Sequence, residues 1–318
     1  MKPTRRSVLV APALGCLSRA ATNNPLAPAA PAEVRLLFGG DIMLSRYVGK
    51  LARQKRNPAW PLHEVAGLLA SADIAFANLE SPFSDTGPRS DTGMVFHAEP
   101  EMVRALVAAG IDVASTANNH ALDCGPHGIQ FTMDLLARNG ILAAGSGATA
   151  QLAHQGVILA RKSVGFGFLA YTFDQSNGIH PGIDDRVALM DAAAMRADVG
   201  NLLRRADVVI VSMHAGNEYQ PAPNILQQRF ARAAIDAGAA LVIGHHPHVV
   251  QPVERYRNGL IFYSLGNLVF DQFQSPGAQR GWIADVRFTG RRLANWTVIP
   301  VDIVNTVARL HSLSEADS

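Results

Sequence analysis

Apolar residues follow two rhythms between about residue 33 and residue 301. Short runs rich in Val, Ile, Leu and Phe predict strands at 34–38, 74–78, 113–115, 157–159, 166–171, 208–213, 241–244, 260–264, 283–288 and 296–301. Between them, 62–70, 101–109, 128–139, 192–205 and 226–237 carry apolar residues at about every third or fourth position, the spacing of amphipathic helices. This alternation predicts an α/β architecture. Without an internal repeat or an obvious linker, it reads as a single catalytic domain over 32–308, followed by a polar tail at 309–318.

The polar residues at the ends of these predicted strands carry the chemistry. Asp41 follows the first strand, and Asn78 and Glu80 the second. Asn118, Asn119 and His120 follow the third, His214 a later one, and His245-His246-Pro247-His248 the next. Loops leaving the carboxyl ends of parallel strands share one rim, so such residues can meet in space. Each has an ordinary reading: Asp41 as a helix cap, Glu80 as a solvated loop acid, Asn119 as a turn residue, His214 as a core histidine. Three histidines in four residues after a buried-looking strand are harder to place unless their ring nitrogens are bound. Taken together, carboxylate, amide oxygen and neutral imidazole form a ligand set for Mn, Fe or Zn. A metal there would bring a bound water toward neutral pKa, which makes hydrolysis the natural reaction class. The pair His246 and His248 is expected on an extended segment restricted by Pro247.

The start of the chain has a separate character. A basic stretch to Arg6, an apolar run from Ser7 to Leu17 and an Ala- and Pro-rich stretch to Pro31 predict a signal peptide and linker. Thr4-Arg5-Arg6-Ser7 is similar to a twin-arginine signal, with a Sec signal as the alternative. Ala13-Leu14-Gly15-Cys16 loosely resembles a lipoprotein box with Ala in place of the usual Leu. The expected location is therefore the periplasm or cell envelope, with a possible lipid anchor at Cys16 as the only membrane attachment. No apolar run in the chain is long enough to span a bilayer.

Composition narrows the classes further. With 48% hydrophobic and 17% charged residues, the chain is neither disordered, collagenous nor a coiled coil. The formal charge of +2 includes Lys2, Arg5, Arg6 and Arg19 of the leader, which holds no acid, so the remainder carries −2. No dense Lys/Arg stripe is visible beyond the leader, and no nucleic-acid partner is expected. Cys16 and Cys124 are the only cysteines, too few for a disulfide framework or a cysteine zinc site. Neither a GxSxG elbow nor a P-loop is present.

Five ordered motifs carry a family resemblance. Gly39-Gly40-Asp41-Ile42-Met43-Leu44, Ala77-Asn78-Leu79-Glu80, Ala117-Asn118-Asn119-His120-Ala121-Leu122-Asp123, Gly244-His245-His246-Pro247-His248-Val249 and Tyr263-Ser264-Leu265-Gly266-Asn267-Leu268-Val269-Phe270-Asp271 resemble the CapA family. That family is named for a poly-γ-glutamate capsule biosynthesis protein and belongs to the calcineurin-like metallophosphoesterase superfamily. The resemblance implies a four-layer α/β/β/α sandwich of the metallophosphoesterase type with a metal centre on one rim. It assigns Asp41, Glu80, Asn119, His214, His246 and His248 to one or two divalent transition-metal ions, and His120 to the leaving group or oxyanion. His246 is preferred to His245 by its two-residue spacing from His248. Asp123 is a candidate to orient His120. Asn78, His97, Asn118, Glu218 and Asn267 are candidates for the substrate surface, and Arg89 and Arg280 for gripping a polyanion. The superfamily's histidine two residues after the first aspartate is replaced by Met43, and its second-motif Asp by Glu80. These departures favour one tightly held ion, or two of unequal affinity.

The resemblance implies an exported metal-dependent protein acting in synthesis, export or processing of an anionic envelope polymer such as poly-γ-glutamate. Membrane synthase subunits are possible partners. Two alternatives stand beside it. One is a periplasmic metallophosphoesterase for small phosphate esters or nucleotides, and the other a non-catalytic capsule-assembly component with a structural metal.

Overall fold

Alternation within single strands builds three cores. In the first strand, β1 (Glu33–Ile42), Val34, Leu36 and Phe38 face one side while Leu37 and Ile42 face the other, and all five are fully buried. A strand covered on both faces reads as a continuous apolar run, which is why it is legible without strict alternation. The computed structural model describes residues 32–87, 93–173 and 184–311. The leader with Cys16, and Arg89, lie outside the described residues.

The first sheet has eight strands. β1 pairs in parallel with β2 (Ile74–Leu79), which is followed outward by β3 (Val113–Ser115) and β4 (Leu142–Ala144), also parallel. On its other edge β1 pairs antiparallel with β12 (Arg280–Thr289), which leads to β13 (Arg292–Val304) and β14 (Val307–Leu310). The short β11 (Asn267–Val269) adds in parallel to the end of β1, placing Asn267 opposite Asp41.

The second sheet has six strands, in the order β5 (Val157–Arg161), β6 (Val164–Thr172), β7 (Val208–His214), β8 (Leu241–His245), β10 (Gly259–Phe262) and β9 (Val253–Tyr256). Phe38, Phe76, Phe166, Phe168, Ile210, Ile243 and Phe262 belong to the core shared by the two sheets. Helices cover the outer faces. α1 (Arg46–Gln54), α2 (Ala66–Leu69), α3 (Val103–Ala108) and α4 (Gly125–Arg138) lie on the first sheet, and α5 (Ala150–Gln155), α6 (Ala192–Leu203) and α7 (Ile225–Asp236) on the second. The result is the four-layer α/β/β/α sandwich that the motifs imply.

Local differences have local causes. The helix expected over 62–70 is a 3-10 turn at Trp60–Leu62, which holds Pro61, followed by the four-residue α2. The chain expected to end its fold at 308 continues in β14 to Leu310, and His311 is tied back by Nδ1 to Asp302 Oδ2 at 2.6 Å. No helix among the described residues is long and apolar enough to cross a membrane.

One glycine holds the rim together. A Cβ on Gly40 would lie 2.0 Å from the carbonyl oxygen of Gly266, which also accepts the Asp41 N–H at 3.0 Å. Gly40→Ala must therefore push β11 away from β1. It is expected to cost about 3 kcal/mol or more in chemical denaturation. The control Gly67→Ala, in open space on α2, is expected to be neutral or slightly stabilising. Equal stability of the two variants would contradict the tight β1–β11 approach.

Candidate metal centre

The carboxyl ends of β1, β2, β7 and β8 bring the polar residues to one place. Asp41, Glu80 and His214 each offer a ligand atom within 4.8 Å of the others, and all three are fully buried. His248 lies across them, with Nδ1 3.6 Å from Asp41 Oδ2 and Nε2 3.7 Å from Glu80 Oε1. His246 sits between two imidazoles, its ring centroid 4.9 Å from that of His214 and 6.0 Å from that of His248. Asn119 Oδ1 is 2.8 Å from His214 Nε2. The six residues assigned to metal are thus neighbours in space although they come from both sheets.

The donors fit an ion. Both carboxylate oxygens of Glu80 and the Nδ1 of His246 are buried and lack hydrogen-bond partners among the described residues. Buried polar atoms of this kind are costly unless something binds them. Ligand atoms each about 2 Å from one cation lie roughly 3 to 3.5 Å apart, close to the separations found here. The titration states agree. Burial, then the neighbouring His246, pushes His214 well below its ordinary pKa, and burial with His248 pushes His246 down to about 3. Both rings are therefore neutral, the form that ligates. Burial works against the Asp41 charge, but His245 and His248 overcome it and hold the carboxyl well below the usual range. Burial, Asp41 and Glu218 push Glu80 well above it, so Glu80 is the group most in need of a cation.

Several residues expected elsewhere stand behind this ring and hold it in position. Asn78 donates Nδ2 to Asp41 Oδ1 at 2.8 Å and lies 3.3 Å from His214 Nδ1. Asn118 donates to the Leu79 carbonyl at 2.8 Å, and Asn267 Oδ1 meets His248 Nδ1 at 3.0 Å. All three are buried, so their contacts make them positioning groups, whereas the sequence suggested a substrate surface. His97 also departs from that expectation. Exposure alternates along 95–98, which buries Phe96 and Ala98 and places His97 Nε2 2.9 Å from the Ser84 carbonyl oxygen. Arg280 has a largely exposed side chain, 3.8 Å from Asp302, and lies outside the cleft. Cys124 is inert, its thiol pushed up to about 12 by burial and Asp123.

His246 and His248 are not extended. Their φ angles are +94° and +59°, a turn in which the His246 N–H donates to Asp41 Oδ2 at 3.1 Å. Tyr219 and Arg46 also have positive φ, and the Tyr219 N–H donates to the Pro247 carbonyl at 2.8 Å. Each such residue costs about 1–3 kcal/mol, and clusters of them mark functional sites. His245, the alternative to His246, is fully buried with Nδ1 3.3 Å from Asp41 Oδ1.

A cleft of about 710 Å³ opens above the ring. His120 and His248 reach it from below, and Arg46, Phe96, Glu218 and Tyr219 line its walls. His120 is fixed twice, by Asp123 Oδ2 at 2.7 Å from its Nδ1 and by the Phe96 ring stacked at 3.8 Å. Its Nε2 is 4.0 Å from Glu80 Oε1. Sequence reasoning missed Arg46 and Phe96. The Arg46 guanidinium pairs with Asp271 and lies 4.6 Å over Phe96, contacts that no local pattern foretells.

The model of the bacterial capsule synthesis protein PGA_cap matches residues 35–272, a span that includes every member of this ring. The chain belongs to that family. Among its capsule synthesis relatives, the PGA biosynthesis protein CapA of Bacillus subtilis is 33% identical over 74% of this chain and 63% of its own length. The capsule biosynthesis protein CapA of Bacillus anthracis is 31% identical over 76% of this chain and 60% of its own. The match thus spans less than two thirds of either relative. A hypothetical protein from Thermus thermophilus, at TM-score 0.54 and 16% identity, covers 84% of this chain and 99% of its own, and shares the fold of this PGA_cap member.

Proposed function

We propose that this chain is an exported, metal-dependent hydrolase that cuts amide or ester bonds of an anionic envelope polymer of the poly-γ-glutamate type. The observation that carries the reading is Glu80, a fully buried carboxylate without a hydrogen-bond partner among the described residues, grouped with Asp41, His214 and His246 and lying 3.7 Å from His248 and 4.0 Å from His120, the two histidines that line the cleft. Asp41, Glu80, His214, His246 and His248, with Asn119, would hold a Mn, Fe or Zn ion. Such an ion, when bound, supplies a water of near-neutral pKa and polarises the scissile carbonyl.

The chain's own residues do the rest. Asn78 and Asn267 fix Asp41, His214 and His248 before any ion arrives, and Asn118 holds Asn78 and the Leu79 carbonyl behind them, a preorganisation that metal sites depend on. His120, aligned by Asp123, presents Nε2 where it can hand a proton to the departing amine or hold the oxyanion. Met43 favours one tightly held ion over a symmetric pair. It is fully buried, and its sulfur accepts from the Ser45 N–H at 3.2 Å and hydroxyl at 3.1 Å. The leader would place this activity in the periplasm or envelope, and the names of the Bacillus relatives support a role in capsule polymer metabolism.

The test is metal analysis of the purified protein, then parallel assays on γ-glutamyl peptides and on phosphate monoesters and diesters. Bound metal with cleavage of γ-glutamyl amides is the expected result. Cleavage of phosphate esters alone would replace this reading with a phosphoesterase. Bound metal with no turnover of either class would leave a structural metal in a capsule-assembly component.

A further inference from the structure

Between Asp41 and Glu64 the chain holds five cations, Arg46, Lys50, Arg53, Lys55 and Arg56, and no acid. In linear sequence they are too widely spaced to read as a stripe, but α1 gathers three of them. Arg46, Lys50 and Arg53 fall at i, i+4 and i+7 on one helix face, and Val48, Gly49 and Ala52 are buried. From Arg46 to Arg53 the helix advances about 10 Å. Its first end opens on the cleft, which Arg46 lines. Its last turn borders a second cavity of about 420 Å³, lined by Arg53, Arg56, Arg104 and the single acid Glu101.

This arrangement works against the helix that carries it. Cations in a first turn oppose the helix dipole, and like charges at i, i+4 repel. Surface helices ordinarily relieve both with interspersed acids, and α1 has none. Arg53 is held by Glu99 at 2.7 Å. Lys50, Arg56 and Arg104 have no ion pair among the described residues. Arg56 is fixed at φ +50°, its N–H donating to the Arg53 carbonyl at 2.9 Å. The excess cannot be ascribed to composition, because the chain beyond residue 31 carries a net negative charge.

We propose that the α1 face and the arginine-lined cavity form a track for an extended polycarboxylate strand, which it leads into the metal cleft. Guanidinium groups pair with carboxylates through two parallel hydrogen bonds, and cations spread over more than one helical turn suit a ligand that repeats its charge. This deepens the proposed function, since it rests on the cleft acting on such a polymer. Apart from Arg46, which lines the cleft, it locates strand recognition outside the cleft, on residues that touch no metal ligand.

The experiment uses the full chain, chelated so that nothing turns over, and a fluorescent poly-γ-glutamate oligomer at low salt. Binding is expected to weaken with added salt and to fall about tenfold in Arg56→Gln/Arg104→Gln, the combined effect of two exposed ion pairs. Free glutamate should not compete. Both arginines are on the surface, and matching thermal melts of the variant and parent check the fold. If that variant folds poorly, Lys50→Gln is read the same way, at about threefold. With metal restored, the double variant should show a raised KM for the polymer and unchanged turnover of a γ-glutamyl dipeptide. Unchanged oligomer affinity would overturn the track, as would binding to anionic phospholipid vesicles with none to the oligomer. Arginine-dependent oligomer binding without dipeptide cleavage would instead sink the hydrolase reading and leave the track standing.

Discussion

Glu80→Gln is expected to abolish metal binding while making the metal-free protein more stable, two effects of opposite sign from one substitution. Glutamine keeps the shape and removes the charge at the centre of the ring, so affinity for a divalent ion should fall by at least about a hundredfold. A ligand at a thousandfold excess over its Kd adds about 4 kcal/mol to stability, and a hundredfold loss of affinity should remove about 2.7 kcal/mol of that increment or more. Without metal the direction reverses, because the parent must keep a carboxylate in a site that pushes its pKa well above 4.5. Relief of that strain should raise the denaturation midpoint of the metal-free variant near neutral pH.

The pH dependence separates the contributions. Between pH 4.5 and its raised folded pKa, Glu80 holds a proton that the unfolded chain releases, so metal-free stability falls as pH rises through that window. His214 and His246 act the other way. Their folded pKa values lie below 6.5, so the unfolded chain binds protons first and stability is lost as pH falls below that value, for His246 completely by about 3. Two imidazoles outweigh one carboxylate, and the chelated parent should weaken on acidification by about 1.4 kcal/mol per pH unit for each net proton. Glu80→Gln removes the opposing group and should steepen that loss. Denaturant melts with and without Mn from pH 4 to 8 measure all of this. An unchanged metal-induced shift, or a metal-free variant weaker than the parent at pH 7, would refute the assignment of Glu80.

What the sequence disclosed, and what it hid, divides along physical lines. Strands such as β7 and β8 were legible because both faces are buried, and a run like Val208–Met213 then needs no partner to be recognised. β11 was not, because three residues become a strand only when Gly40 allows them to lie against β1. α1 was missed as a helix for a related reason: its buried face is narrow, made by Val48, Gly49 and Ala52, and leaves no long apolar period. At the site, residue types and their position after strands pointed to the metal ring. They could not say which way each carboxamide turns. Asn78 lies one residue from the end of β2, and whether it faces a ligand or a substrate is decided by Asp41 and His214 from other strands. Arg46 is a further case, since its place over Phe96 and beside Asp271 joins segments about fifty and more than two hundred residues away.

His120→Ala should separate chemistry from metal binding. The ring contributes no hydrogen bond to Asp41 or His214, and its Nε2 stands 4.0 Å from Glu80 Oε1, beyond hydrogen-bond reach. Metal affinity should therefore change little. Turnover of a γ-glutamyl amide should fall by about a hundred- to ten-thousand-fold, the usual worth of a positioned proton donor. Asp123→Asn should lose less, about tenfold to a hundredfold, by weakening the hold on the His120 tautomer while leaving the Phe96 stack in place. The leaving group provides the decisive readout. An amine must be protonated to depart and a nitrophenolate need not, so an activated ester should be far less sensitive to His120→Ala than the amide. Equal losses on both substrates would show that His120 acts on the oxyanion and not on the leaving group. Undiminished amide turnover would remove it from the reaction altogether.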